Sequence, residues 1–309
     1  MATSSKPEIK DVIILVNEGK GNKHFPGHRL GACAERRILQ KVFVEKFGFS
    51  QLNTAYFNGD ICLGDWDHDN RQKSTHTLNG SCCIKCLIKS AKKGDDIKRE
   101  NNLLVVAICS HGGVNSKGSY ISLVGDKENE QLHLIALLEF LKTSETLKNK
   151  TVIILLETCR GILEDEGVPV EVCDPGIADT GNEAVTKDQR DHPSFVRPET
   201  FQLPDIPENF IIVYGTTPGM VSYSDGAKGS WMEQALLEEV EELEKSHPGE
   251  DINFLQLLTK IKGNVSRRNT SGTQQNVDVM PEAESSGKKC IVQSEHQLTN
   301  PLMLKFKKK

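Results

Sequence analysis

No apolar run in this 309-residue chain reaches the roughly 18 residues that a membrane-spanning helix requires. Its first residues, Met-Ala-Thr-Ser-Ser-Lys-Pro-Glu, lack the apolar core of a secretory signal. The chain therefore reads as soluble, with no membrane partner. Positive charge is not in excess either: 38 Lys and Arg stand against 43 Asp and Glu, a net charge of −5 that predicts no nucleic-acid partner. There is no nucleophile elbow and no second Cys-x-x-Cys pair, so an α/β-hydrolase or a dithiol redox protein is disfavoured. Nine cysteines, an odd number scattered along the chain, suit a reducing, cytoplasmic compartment better than a disulfide framework.

What is present is organised around two short apolar runs. Thr-Val-Ile-Ile-Leu-Leu at 151–156 is apolar and β-branched throughout, the pattern of a parallel strand covered on both faces. It gives way to Glu157-Thr158-Cys159-Arg160-Gly161, which places a thiol at the carboxyl end of a central strand, where open α/β sheets hold ligands. Leu103 to Gly113 has the same form: a buried-strand run, then His111, then two glycines. Leu134, Leu137, Leu138 and Leu141 repeat at helical spacing between the two runs and supply the crossover that makes the strands parallel neighbours. His111 and Cys159 are thus expected side by side. An imidazole there can take the thiol's proton and return it to a leaving amine, and the backbone N–H groups of Gly112 and Cys159 would form an oxyanion hole.

Glu-Thr-Cys-Arg-Gly at 157–161, Ser110-His111-Gly112 about 50 residues earlier, His28-Arg29-Leu30-Gly31, Tyr214 to Gly219 and Gly229-Ser230-Trp231 together resemble the caspases, cysteine endopeptidases, from about residue 10 to the end. The resemblance implies an α/β fold: a caspase-like three-layer sandwich with a mainly parallel sheet of about six strands flanked by helices. It also implies a division into a stub at 1–9, a large-subunit region at 10–161, an intersubunit linker at 162–207 and a small-subunit region at 208–309. A zymogen would be cut within the linker, at Asp165, Asp174, Asp179, Asp188 or Asp191 if aspartate is accepted, or at Lys187 or Arg190 if a base is. The linker reading has support from the residues themselves, because 162–207 holds six prolines and no sustained periodicity. Too few residues precede the domain for a recruitment module, so activation by cleavage is expected.

The rest of the chain reads in order. Asp11 to Val16 is a strand, 19–31 a loop carrying Arg29, and Ala34, Ile38, Leu39, Val42 and Phe43 a helix ending at Gly48. Leu52 to Phe57 is a strand, followed by a polar insertion. Within it Asp65, Asp67 and Asp69 mimic a calcium loop, but His76 stands where a bidentate glutamate is needed, so calcium is rejected. Cys83 and Cys86 lie on a helix with Ile84, Leu87, Ile88 and Ala91 and read as packing residues, so no metal is expected. Gly118 to Val124 suggests a hairpin. Phe210 to Gly215 is another buried strand. Met232, Leu236, Val240 and Leu243 form a helix whose acidic residues, Glu233 among them, read as a solvated face. Phe254, Leu258, Ile261 and Val265 give the last helix, Cys290 to Val292 and Leu302 to Phe306 strands, and Lys305 and Lys307 to Lys309 a frayed tail. By resemblance the final strand lies at a two-fold dimer interface.

The substrate pocket departs from the family. Caspases grip an aspartate with two arginines and a glutamine, and here Arg29 keeps the first arginine, Glu157 replaces the glutamine and Ser224 the second arginine, with Ser222 and Tyr223 just before it. Tyr223 would line an adjoining apolar pocket or simply pack. A substrate carboxylate would then face Glu157 and one arginine, itself paired with Glu157, and a lost buried charge-assisted contact costs about 2–5 kcal/mol. A basic or neutral residue before the cut bond becomes plausible, since the related metacaspases, which cut after Arg or Lys, carry an acid at that place. The expectation is a cofactor-free cysteine endopeptidase acting on protein substrates as a homodimer in programmed cell death, with altered aspartate preference. The alternative is a catalytically poor homologue that regulates a true caspase by heterodimerising with it.

Overall fold

The computed structural model of the protein describes residues 10–17, 29, 31–58, 61–63, 103–122, 131–143, 147, 150–163, 165, 205–225, 227–270 and 287–307. The acidic triplet at Asp65, Asp67 and Asp69, the Cys83/Cys86 pair and all linker cut sites except Asp165 lie outside them.

Five strands run parallel in the middle of the main sheet: β1 (Lys10–Asn17), β2 (Ser50–Asn58), β4 (Leu103–Cys109), β8 (Thr151–Glu157) and β10 (Phe210–Tyr214). Two short antiparallel strands close the edges, β3 (Ile61–Leu63) and β15 (Gln293–His296), giving the order β15-β10-β8-β4-β1-β2-β3. The fold is thus the mainly parallel α/β sandwich expected, with seven strands; β3 is only Ile-Cys-Leu, too short an apolar run to mark a strand within its polar surroundings. Strands β1, β4, β8 and β10 bury both faces because alternate residues feed separate cores. Val12, Val105, Ile153 and Ile211 pack on one side with helices α1 (Ala32–Leu39), α3 (Trp231–Ser246) and α4 (Phe254–Ser266). Ile13, Val106, Ile154 and Ile212 pack on the other with Leu134, Leu137, Leu138 and Leu141 of the crossover helix α2 (Leu134–Lys142). Two-sided burial is why these strands read as unbroken apolar runs.

Several local expectations are corrected. Helix α1 is α-helical only to Leu39 and continues as a π-helix over Gln40–Lys46, while its end falls at Gly48 as expected, where a φ of +73° stops the helix. The hairpin is a three-stranded sheet, β5 (Gly112–Asn115), β6 (Gly118–Ser122) and β7 (Gln131–His133). The strand expected at 290–292 begins at Gln293 and forms one edge of the main sheet. The final strand β16 (Met303–Leu304) pairs with β14 (Ile252–Asn253) within the chain. The closing lysines are docked as far as Lys307: Phe306 stacks on Phe47 with centroids 5.3 Å apart, and the Lys307 N–H donates to the Lys46 carbonyl at 2.7 Å. An aromatic contact with the core outweighs the tendency of a charged terminus to fray.

Candidate active site

The β4–β8 ladder positions the two catalytic candidates. Its register runs from Leu103–Thr151 to Cys109–Glu157, so each residue pairs with the one 48 further on, and His111 and Cys159 keep that offset two residues past the strand tips. The ladder carries on past the last pair, since the Ser110 N–H donates to the Glu157 carbonyl at 3.0 Å. Gly112 then lies against the other tip. A Cβ there would come within 2.8 Å of the Cys159 carbonyl oxygen, of the Thr158 Cβ and of the Tyr120 carbonyl oxygen, so only glycine fits.

Beyond the thiol, β9 (Gly161–Leu163) runs parallel to β11 (Gly219–Met220), so the first residues of the expected linker belong to the site's framework. The Arg160 N–H donates to the Met220 carbonyl and the Gly219 N–H to the Arg160 carbonyl, both at 2.9 Å. Asp165, one of the expected cut sites, accepts from the Lys289 N–H at 2.6 Å in an isolated antiparallel bridge. A Cβ on Gly161 would collide with the Gly219 backbone, which cannot yield as a flexible side chain would. Gly161→Ala is expected to destabilise the fold by about 3 kcal/mol, read as a lowered thermal midpoint.

Cys159 is half-buried, and its thiol is turned towards Ser222: the Ser222 N–H donates to Sγ at 3.5 Å and the Ser222 Oγ lies 3.8 Å away. Burial pushes this thiol above the usual range; the Ser222 contacts lower it, and the charge of Glu157 raises it again. His111 is partly buried, with its carbonyl accepting from the Ser122 N–H at 2.9 Å. Arg160, next to the thiol, lays its guanidinium 3.9 Å from the Tyr214 ring centre and donates to the Gln293 Oε1 at 2.9 Å, tying the cysteine loop to the sheet edge.

The pocket residues come together with different partners from those expected. Arg29 is buried and bound to Glu35, not Glu157: its Nη2 lies 2.6 and 2.8 Å from the two Glu35 carboxylate oxygens, and its Nη1 donates to the Asn17 carbonyl at 3.0 Å. Ser224 opens β12 (Ser224–Asp225), which pairs with β13 (Gly229–Ser230), and its hydroxyl packs against Gly31. Tyr223 is buried against Trp231, with ring centres 5.1 Å apart.

Glu157 is 3 % exposed, its Oε2 has no hydrogen-bond partner, and it fills the space left by the absent side chain of Gly215. Burial, then the Glu35 charge, pushes its carboxyl up to about 8, against the opposing pull of Ser222, Arg29 and Ser230. At neutral pH it is therefore mostly a neutral acid, able to donate a hydrogen bond as well as accept one.

A second buried acid escaped the sequence reading. Glu233 was expected on the solvated face of α3, but it is 1 % exposed and accepts from the Cys109 thiol at 3.5 Å. Burial, then Glu157 and Glu35, raises its carboxyl well above the usual range. Its spacing of three and seven residues from Leu236 and Val240 already marked it as belonging to the apolar face.

A folded-state carboxyl raised this way favours folding most while protonated. The Glu157 contribution is whole below about 4.5 and is lost as pH climbs to about 8, by up to about 1.4 kcal/mol per pH unit. Glu157→Gln is thus expected to raise the thermal midpoint at pH 8 to 9 and to leave it little changed near pH 4, which melting curves across pH will check.

Among the described residues no helix is long and apolar enough to cross a membrane, and no group of three or more His, Cys, Asp or Glu side chains is gathered to hold a metal ion.

Comparison with known proteins bears on the fold and the family. A solved structure of caspase-1 from Spodoptera frugiperda superposes with a TM-score of 0.61 at 19 % identity, covering 96 % of this chain and 91 % of that one, a likeness of fold. Cell death protein 3 of Caenorhabditis remanei is 28 % identical over 174 residues, 52 % of this chain and 31 % of that protein. Caspase-1 of Drosophila melanogaster is 23 % identical over 193 residues, 62 % of this chain and 50 % of that protein, so the chain spans at most half the length of these curated relatives. The family model described as the caspase domain matches residues 20–293, and the chain accordingly belongs to the caspase-domain family of cysteine peptidases.

Proposed function

We propose that this chain is an active cysteine endopeptidase of the caspase type, in which His111 activates Cys159 against the peptide bonds of protein substrates. The observation that carries this reading is the unbroken register of β4 and β8, together with Gly112 packed on the Thr158–Cys159 segment. The thiol turns from Ser222 towards the substrate and gives its proton to His111, and the sulfur adds to the scissile carbonyl. The N–H groups of Gly112 and Cys159 stabilise the oxyanion; His111 then protonates the leaving amine, and water releases the acyl group. No cofactor enters these steps. Arg29, Glu157, Ser222 and Ser224 form the primary pocket, with weakened aspartate preference: Ser224 supplies no positive charge and Arg29 is already bound to Glu35. Cleavage within 162–207 and pairing of two copies along β15 would complete the mature enzyme, and the name of the Caenorhabditis remanei relative supports a part in cell death. Peptide hydrolysis tests the proposal: activity lost in Cys159→Ala upholds it, and activity unchanged in that variant overturns it.

A second reading, a regulator that pairs with a true caspase, is favoured by the half-buried thiol held on Ser222. It predicts that a peptide electrophile labels Cys159 no faster in the wild type than in His111→Ala.

A further inference from the structure

We infer that Asn17, at the end of β1, is a positioning residue that holds the His111 loop in register with the cysteine tip and joins it to the primary pocket. The inference rests on the peptidase reading above and adds a residue outside the dyad and the pocket. Asn17 is 2 % exposed. Its Nδ2 donates to the Ser110 Oγ and to the Ser122 carbonyl, both at 3.2 Å. Ser110 precedes His111 in the chain, and Ser122 holds the other side of the same segment through its N–H bond to the His111 carbonyl. The Ser110 hydroxyl donates to the Ser122 carbonyl as well, so one amide, one hydroxyl and one carbonyl form a closed buried triangle behind His111. From the far side of Asn17 its own carbonyl accepts from Arg29 at 3.0 Å, and Ser110 is hydrogen-bonded through its N–H to Glu157. Asn17 is therefore in contact with both arms of the site: its side chain holds the histidine loop and its backbone holds the pocket arginine.

The chemistry requires an amide. Two acceptors face Nδ2, one of them a carbonyl oxygen that can only accept, so a carboxylate of the same shape would set oxygen against oxygen at Ser122 and keep a bond to Ser110 only by drawing that hydroxyl away from the Ser122 carbonyl. The side chain acts on the histidine loop, whereas Arg29 is bound through the main chain, which a substitution leaves in place. This predicts a division in the kinetics. In Asn17→Asp, kcat falls by roughly 10- to 100-fold while KM changes less than about threefold, because the group that moves the proton is misplaced and the pocket is not. Ser110→Ala, a milder variant that removes only the shared hydroxyl, lowers kcat about 3- to 10-fold and covers the case in which Asn17→Asp does not fold.

A readout that a purely structural role would leave unmoved is the rate at which iodoacetamide alkylates Cys159, compared with that of His111→Ala. In the wild type His111 accelerates this reaction; in folded Asn17→Asp and in Ser110→Ala most of the acceleration is lost. If both variants keep the acceleration and the kcat of the wild type, or lose stability with kcat per folded molecule unchanged, the inference is overturned and the peptidase reading stands. If the wild type neither cleaves peptides nor shows any acceleration by His111, the peptidase reading itself fails, and the role of Asn17 with it.

Discussion

Peptide hydrolysis by Cys159→Ala is expected to fall by at least about a thousandfold, and by His111→Ala by about a hundred- to ten-thousandfold. The sulfur is the only atom at these strand tips that the proposed mechanism can use for attack, and an alanine leaves the oxyanion donors in place with nothing to add to the carbonyl. The histidine matters to a similar degree because burial holds the thiol above its ordinary range. At neutral pH such a thiol is almost wholly protonated, and without a neighbouring base it stays so. Initial rates on a peptide mixture, with folding checked by thermal melting, measure both effects. Rates within tenfold of the wild type in either variant would remove that residue from the mechanism.

Cleavage after aspartate is expected to decline relative to cleavage after asparagine as pH rises through about 8, and Glu157→Gln is expected to abolish the decline. In the proposed pocket the neutral Glu157 would donate to the substrate carboxylate below that pH; above it, two carboxylates would share a buried space. Losing one buried charge-assisted contact costs about 2–5 kcal/mol, so the Asp to Asn ratio of kcat/KM at pH 9.5 is expected to rise by roughly 30-fold or more in Glu157→Gln. The groups acting on Glu157 are Glu35, Arg29, Ser222 and Ser230, with Glu233 and Cys109 behind them. Ionisation of Cys159 itself speeds hydrolysis with rising pH, but it affects both substrates alike, and the ratio removes it. A ratio independent of pH in the wild type would show that Glu157 does not meet the residue before the cut bond.

The two central strands were legible because both their faces are buried. An unbroken apolar run ending in a polar residue and glycine leaves little choice for β4 or β8, and the four leucines of α2 then make them parallel neighbours. The edge strand β3 was not legible, because it is three residues long in a polar stretch. The docked C-terminus was missed for another reason: Phe306 meets Phe47 across most of the chain's length, and the lysines around it suggested solvent. Glu233 falls between these cases, since helical spacing placed it beside Leu236 and Val240 while its acidic neighbours argued for the surface.

The sequence by itself determined the central parallel strands, their crossover and the 48-residue offset that β4 and β8 keep, since all of these follow from apolar periodicity and strand order, which are local properties of the chain. Only the tertiary structure decided which partner Arg29 takes, how deeply Glu157 and Glu233 are buried, and which way the Cys159 thiol turns. Those outcomes depend on desolvation and on charges brought close from distant parts of the chain, and no spacing within one segment encodes them.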